Sequence, residues 1–125
     1  MKMNEAIMKA AHVLGDLIKN DPVTDALNHS MEDYERSEEL MALIGEYNAQ
    51  QEHLMTAAED DIREKITARA EELYNTITTH PVYVAYMKAK HEFDMLYNEV
   101  MGEVQFGITG ERPCSHDCSS CGGCH

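Results

Sequence analysis

From Asn4 to Lys19 the apolar side chains Ile7, Ala11, Leu14 and Ile18 fall on one helical stripe, at spacings of three and four residues. Asn20-Asp21-Pro22 ends that pattern, with Asp21 a good N-cap and Pro22 suited to the first position of a new helix. A second helix is expected from Val23, with an interruption around Ser30 to Asp33. From Glu35 the periodicity is long: Leu40, Leu43, Ile44, Tyr47, Leu54, Met55, Ala58, Ile62, Ile66, Ala70, Leu73 and Ile77 follow steps of mostly three and four. The stretch holds one glycine, Gly45, and no proline, enough for a rod of about forty residues. Glu59-Asp60-Asp61 suits the first turn of a helix, so a break is expected between Thr56 and Asp61. Thr79-His80-Pro81 ends the pattern, and a last helix from Val82 to about Phe106 would bury Tyr83, Tyr86, Phe93, Leu96, Val100 and Val104. No strand-type alternation occurs. The expected fold is all-α, built of long antiparallel helices.

An internal echo accompanies this pattern. Asp21-Pro22-Val23-Thr24-Asp25-Ala26 and His80-Pro81-Val82-Tyr83-Val84-Ala85 share a Pro-Val-x-x-Ala start, with Tyr34 and Phe93 at the same later offset. Proline at the first helical position is common, so the echo reads as one helix-start solution used twice and falls short of a duplicated unit.

After Phe106 the pattern changes. Gly107, Gly110 and Pro113 are helix breakers, and the stretch they punctuate reads as a flexible linker. Two regions follow: a helical domain over residues 1–108 and a linker with a cysteine-rich tail over 109–125. The tail has almost no apolar side chains besides its cysteines, so only crosslinking or ligation would order it.

Composition narrows the function. At 125 residues the chain is of single-domain length. With no Trp, two Phe and nine Met, its core must come from aliphatic side chains and Met, which suits helix-on-helix packing. The formal charge of −13 repels phosphate backbones and anionic lipid, setting direct nucleic-acid binding and membrane docking aside. A basic protein partner is its natural complement, and simple solubility its plainer reading. No apolar run approaches the roughly 20 residues that span a bilayer, and the amphipathic start carries Glu5 and Asp16 where a signal peptide would be apolar. A cytoplasmic protein is expected, and there clustered thiols more often hold metal or do redox chemistry than form disulfides.

All four cysteines lie in the tail, as Cys114-x3-Cys118-x2-Cys121-x2-Cys124, beside His116 and His125. Metal ligation is the leading reading of that density. Zinc ribbons separate two Cys-x2-Cys knuckles by a long loop, whereas here two residues separate Cys118 from Cys121. Four thiolates at ~2.3 Å from one zinc must converge closely, which is hard for so short a peptide. An iron–sulfur cluster, of the 4Fe-4S kind, spreads its thiolates farther apart, and nested Cys-x2-Cys spacing resembles bacterial ferredoxin-type ligation. A corner taken from another subunit, His116 or His125 is an open alternative. A zinc-binding stub and a redox-labile thiol patch with three disulfide pairings stay open.

Elsewhere catalytic constellations are thin. Glu-x-x-His, His-Glu-x-x-His, the P-loop and Gly-x-Ser-x-Gly are absent, so an enzyme is not supported. His12 and Asp16 share a helical face as a surface pair would, and His29, His53, His80 and His91 read as surface or capping residues. Glu32-Asp33-x-Glu35 and Glu38-Glu39 read as a solvated face or, more sharply, as contacts for a basic partner, and the Met residues lie mostly at core spacing.

Three stretches carry a resemblance: Glu38-Glu39-Leu40-Met41-x-Leu43-Ile44-x-x-Tyr47-Asn48-x-Gln50, then His80-Pro81-Val82-x-x-x-Tyr86, then Leu96-x-x-x-Val100-x-x-x-Val104. Together, over roughly 4–108, they resemble the YlbF/YmcA (Com_YlbF) family, and the cysteine tail points to its YlbF-like branch. The resemblance implies a small all-helical regulator without enzymatic activity that forms homo- or hetero-oligomers. It further implies YmcA-like and PSP1-domain partners in a complex carrying iron–sulfur clusters. That complex would be linked to sporulation, competence, biofilm formation and RNA processing by endoribonuclease Y. By the same resemblance Cys114, Cys118, Cys121 and Cys124 would hold the cluster.

Overall fold

The structure, a computed structural model, describes residues 2–111. It is all-α, with five helices in the order α1 (Glu5–Lys19), α2 (Pro22–Arg36), α3 (Glu38–Thr56), α4 (Asp60–Thr79) and α5 (Pro81–Thr109). Among the described residues there is no strand.

Each helix start has a local cause. The Asn4 side chain accepts from Ala6 N at 2.8 Å and opens α1. Asp21 Oδ1 accepts from Val23 N at 2.9 Å with Pro22 at the first helical position of α2. At the head of α5, His80 Nδ1 accepts from Val82 N at 3.2 Å, again followed by proline. The echoed Pro-Val-x-x-Ala segments are thus two capped, proline-led helix starts, and the two helices they open pack on each other. Asp60 and Asp61 occupy the first turn of α4, where carboxylates complement the helix dipole.

Two departures from the sequence expectations matter. Helix α2 runs unbroken through Ser30 to Asp33, and the break falls at Ser37 instead. There the Ser37 hydroxyl accepts from Leu40 N at 3.2 Å, so a side chain takes over a bond the helix would have made. At the other end, α5 continues through Gly107 to Thr109 and stops at Gly110. Gly110 adopts φ +77°, a left-handed conformation suited to glycine, and its N–H meets Phe106 O at 2.7 Å.

The tertiary arrangement is a long hairpin of two broken rods. One rod is α2 followed by α3, and the other, returning, is α4 followed by α5. Thus α3 pairs with α4 beyond the breaks and α2 pairs with α5 before them, while α1 lies against α2. The breaks at Ser37 and His80 stand side by side, with His80 Nε2 3.8 Å from Glu39 Oε2. The core sits at this joint: Leu40, Leu73 and Ile77 are buried and surrounded by Tyr34, Met41, Leu43, Ile44, Tyr47, Val82 and Tyr83. Breaking both rods at one level lets Leu40 enter the seam with no exposed surface.

Beyond the joint the packing thins. Among the described residues only Ile66, Ala70 and Ala89 are otherwise buried. Of the expected core positions, Ile7, Ala11, Met55, Ala58, Ile62 and Val104 are exposed, and Leu14, Ile18, Tyr86, Phe93, Leu96 and Val100 are half-buried. A two-rod hairpin has one seam, so each helix stripe wider than that seam leaves an uncovered edge.

Candidate functional site

The tail ligand set Cys114, Cys118, Cys121 and Cys124, with His116 and His125, lies outside the described residues. The Pro113 breaker lies outside them as well. Within 2–111 no three His, Cys, Asp or Glu side chains gather as a metal-binding group. His12, His29, His53 and His91 are exposed and apart, whereas His80 is half-buried at the joint in a capping role. His29 Nδ1 lies 3.0 Å from Asp25 O. That backbone contact, reinforced by the Asp25 carboxylate, raises the His29 pKa above its ordinary value. Burial raises the Tyr34 phenol, which stacks obliquely on Tyr86 with centroids 4.8 Å apart.

Two arginines tie the α3–α4 hairpin. Arg63 reaches back over the turn and donates to the carbonyls of Leu54 and Ala57, at 2.9 and 3.0 Å, which α3 leaves unpaired at its end. Arg69 on α4 grips Glu46 on α3 through Nε at 2.6 Å and Nη2 at 2.8 Å, with Glu72 at 3.0 Å from Nη1. The hydrogen bond from Arg69 holds the Glu46 carboxyl below the usual carboxylate range. These contacts fix α3 on α4 and offer no reactive group. A shallow cleft beside them, lined by Tyr47, Gln51, Leu54, Thr67, Ala70 and Tyr74, is open to solvent, and Gln51 there donates to Tyr47 Oη at 2.9 Å.

What the described residues do present is apolar surface. On α1 Ile7, Val13 and Leu17 are exposed, Leu17 by 66 %. On the outer half of α5 Tyr97, Met101, Val104 and Ile108 are exposed, Ile108 by 79 %. Length explains the second set: α2 spans roughly 22 Å and α5 roughly 43 Å at 1.5 Å per residue, so α5 outruns its partner. A groove of about 470 Å³ separates the two surfaces, bounded by Leu14 of α1 and Leu96, Val100 and Val104 of α5, with Glu99 and Glu103 at its rim. Of these residues, sequence reasoning put Ile7 on the α1 stripe and expected Val104 to be buried, whereas both are exposed. The signal that marked them otherwise was the mismatch in helix lengths, which is readable only once the pairing is known.

The fold is a small all-α hairpin whose apolar stripes exceed its own seam, and exposed apolar surface of this kind marks contact sites in proteins generally. A family model described as "Control of competence regulator ComK, YlbF/YmcA" matches residues 7–109. The chain belongs to this Com_YlbF family of regulators. Comparison with curated proteins and with solved structures returned no significant match in either case. Among the described residues no helix is long and apolar enough to cross a membrane.

Proposed function

We propose that this protein is a non-catalytic regulatory adaptor of the YlbF-like branch. Its helical hairpin engages protein partners, and its tail couples assembly to an iron–sulfur cluster. The observation that carries the reading is the family match over residues 7–109, which takes in every helix but the first two residues of α1. Exposed apolar stripes on α1 and α5 support a contact role. The partners are YmcA-like and PSP1-domain proteins, in a complex that modulates RNA processing of the endoribonuclease Y type. Competence, sporulation and biofilm formation are the downstream processes. The −13 charge leaves RNA contact to those partners.

Cys114, Cys118, Cys121 and Cys124 are the cluster ligands in this reading, with His116 or His125 as a further donor. Four thiolates form a donor set suited to a 4Fe-4S cluster. Their short spacing makes a ligand shared with a partner natural.

The test is an anaerobic pull-down of the native protein, with iron, zinc and acid-labile sulfide measured on the captured complex. Brown protein with iron and sulfide near cluster stoichiometry, in company with the partners named, is the expected result. Colourless protein with one tightly held zinc would replace the cluster by a zinc-binding or metal-handling tail. A Cys121→Ser variant should lose the cluster and weaken partner capture while its helices stay folded. Unchanged capture would separate the scaffold from the tail.

A further inference from the structure

The seam between α3 and α4 has two unlike flanks. Ile66, Ala70, Leu73 and Ile77 fill it from α4. Arg69 lies to one side of that row and closes the seam there through its grip on Glu46. Helical spacing places Thr67, Glu71 and Tyr74 on the other side. Among the described residues no ion pair ties that side to α3. It holds instead the cleft of about 330 Å³ between Tyr47 of α3 and Tyr74 of α4. The two ring centroids are 6.4 Å apart with the planes tilted by 42°, and Tyr74 is 56 % exposed, so much of its ring is open to solvent.

Thr67 and Glu71 line this cleft and also a second hollow of about 550 Å³, which continues along α4 past Glu64 to Asp60. Along the flank three carboxylates, Asp60, Glu64 and Glu71, stand against Arg63, whose Nη1 is already bound to the Leu54 and Ala57 carbonyls. None of the three has an ion-pair partner among the described residues. The facing helix, α3, contains no Lys or Arg. A purely apolar ligand laid between the tyrosines would strip water from Glu71 without replacing it, which is costly. A cationic side chain on an aliphatic stem suits both the ring faces and the carboxylate. Arginine suits them best, because its planar guanidinium stacks on a ring while its edge pairs with an acid.

We infer that this flank is a docking groove for a basic segment of a protein partner. One arginine of the segment lies between Tyr47 and Tyr74 against Glu71, and a second cation meets Glu64 and Asp60. The inference rests on the adaptor reading and names the chemistry of what the adaptor engages. Glu64 and Glu71 are seven residues apart on α4, about 10 Å along its axis. A polyproline-II segment advances about 9 Å in three residues and returns to the same face, so basic side chains three apart match the groove. The same carboxylates repel a phosphate-bearing occupant.

The experiment titrates the full chain, under reductant and chelator, with a blocked nine-residue alanine peptide carrying arginine at its second, fifth and eighth positions. Amide chemical shifts follow the binding. Shifts centred on Tyr47, Gln51, Thr67, Glu71 and Tyr74 are expected, and a peptide with glutamate in place of arginine should produce none. Tyr74→Ala and Glu71→Lys should each weaken binding about tenfold with helical content by circular dichroism unchanged. Tyr74→Phe keeps the ring and should bind as the parent does. Shifts spread evenly over the acids of α2 and α5 overturn the inference, as does binding indifferent to Tyr74→Ala, because charge alone would then account for it. Equal binding of the glutamate peptide overturns it too. In the native pull-down, capture undiminished by Tyr74→Ala with Glu71→Lys overturns the groove and leaves the adaptor reading standing. A chain that binds the arginine peptide in the groove and captures no partner overturns the adaptor reading and leaves the chemistry of the groove standing.

Discussion

At the joint of the two rods, Leu40 of α3 meets Leu73 and Ile77 of α4, and all three lose nearly all contact with water. At the outer end, Leu17, Met101 and Ile108 are side chains of the same kind at the same helical spacing, and they face solvent. The difference lies in the number of neighbours a helix has along its length. At the joint four helices converge, because both rods break at one level and fold their apolar faces across each other. At the outer end α5 runs on past α2, and α1 offers it only one edge. The first region holds the protomer together. The second is apolar surface that the protomer itself leaves uncovered.

Truncating a side chain in each region gives the largest contrast. Leu73→Ala should destabilise the protomer by about 3 kcal/mol, the transfer and cavity cost of a fully buried leucine. Leu17→Ala should leave its urea midpoint unchanged when measured at a concentration where the protein is monomeric. A large loss at Leu17 would mean that the outer end is core after all.

Removing the cap at the joint comes next. His80→Ala leaves the Val82 N–H without its partner and should cost about 1 kcal/mol, with His80→Asn recovering most of it. Equal loss in both variants would assign the effect to packing of the imidazole.

Cutting the clamp at the hairpin turn should have a local effect. Arg63→Ala frees the Leu54 and Ala57 carbonyls, so amide exchange should quicken around residues 57–62. Amides at the joint should keep their protection, since the core lies there and not at the turn.

The smallest effect is electrostatic. The Glu46 carboxyl has a lowered pKa in the folded state, so its contribution is present above the ordinary carboxylate range and is lost as pH falls through the lowered value. Acid unfolding of Glu46→Gln should therefore show a shallower loss on the acid side than the parent, from the same two-rod seam. His29 has the opposite sign. Its raised pKa gives a contribution present below the ordinary imidazole value and lost as pH rises through the folded one.

Helix existence was legible because its signals are local. Asp21-Pro22, Thr79-His80-Pro81 and Glu59-Asp60-Asp61 each mark a boundary by chemistry within a few residues, and the helices begin where those signals stand. The expected break at Ser30 to Asp33 rested on weak propensities, which a helix paired with α5 along its length overrides. Ser37-Glu38-Glu39-Leu40 carried a stronger signal, a serine cap with acids in the first turn, and there the rod does break. Gly107 failed to stop α5 because a glycine inside a helix costs only about 1 kcal/mol, whereas the left-handed turn at Gly110 ends it. The candidate cysteine site remains a matter of spacing and residue type, since it lies beyond residue 111.

By itself the sequence determined the all-α class, the helix starts, the acidic surface and the cluster of thiols, because each follows from local periodicity, capping chemistry or composition. Only the tertiary structure decided which stripes are core and which are surface. Burial is a property of pairs of helices. Ile77 and Ile7 carry the same side chain in similar stripes, and the first is buried because α2, α3 and α5 meet over it while the second stands where the hairpin has run out of helix.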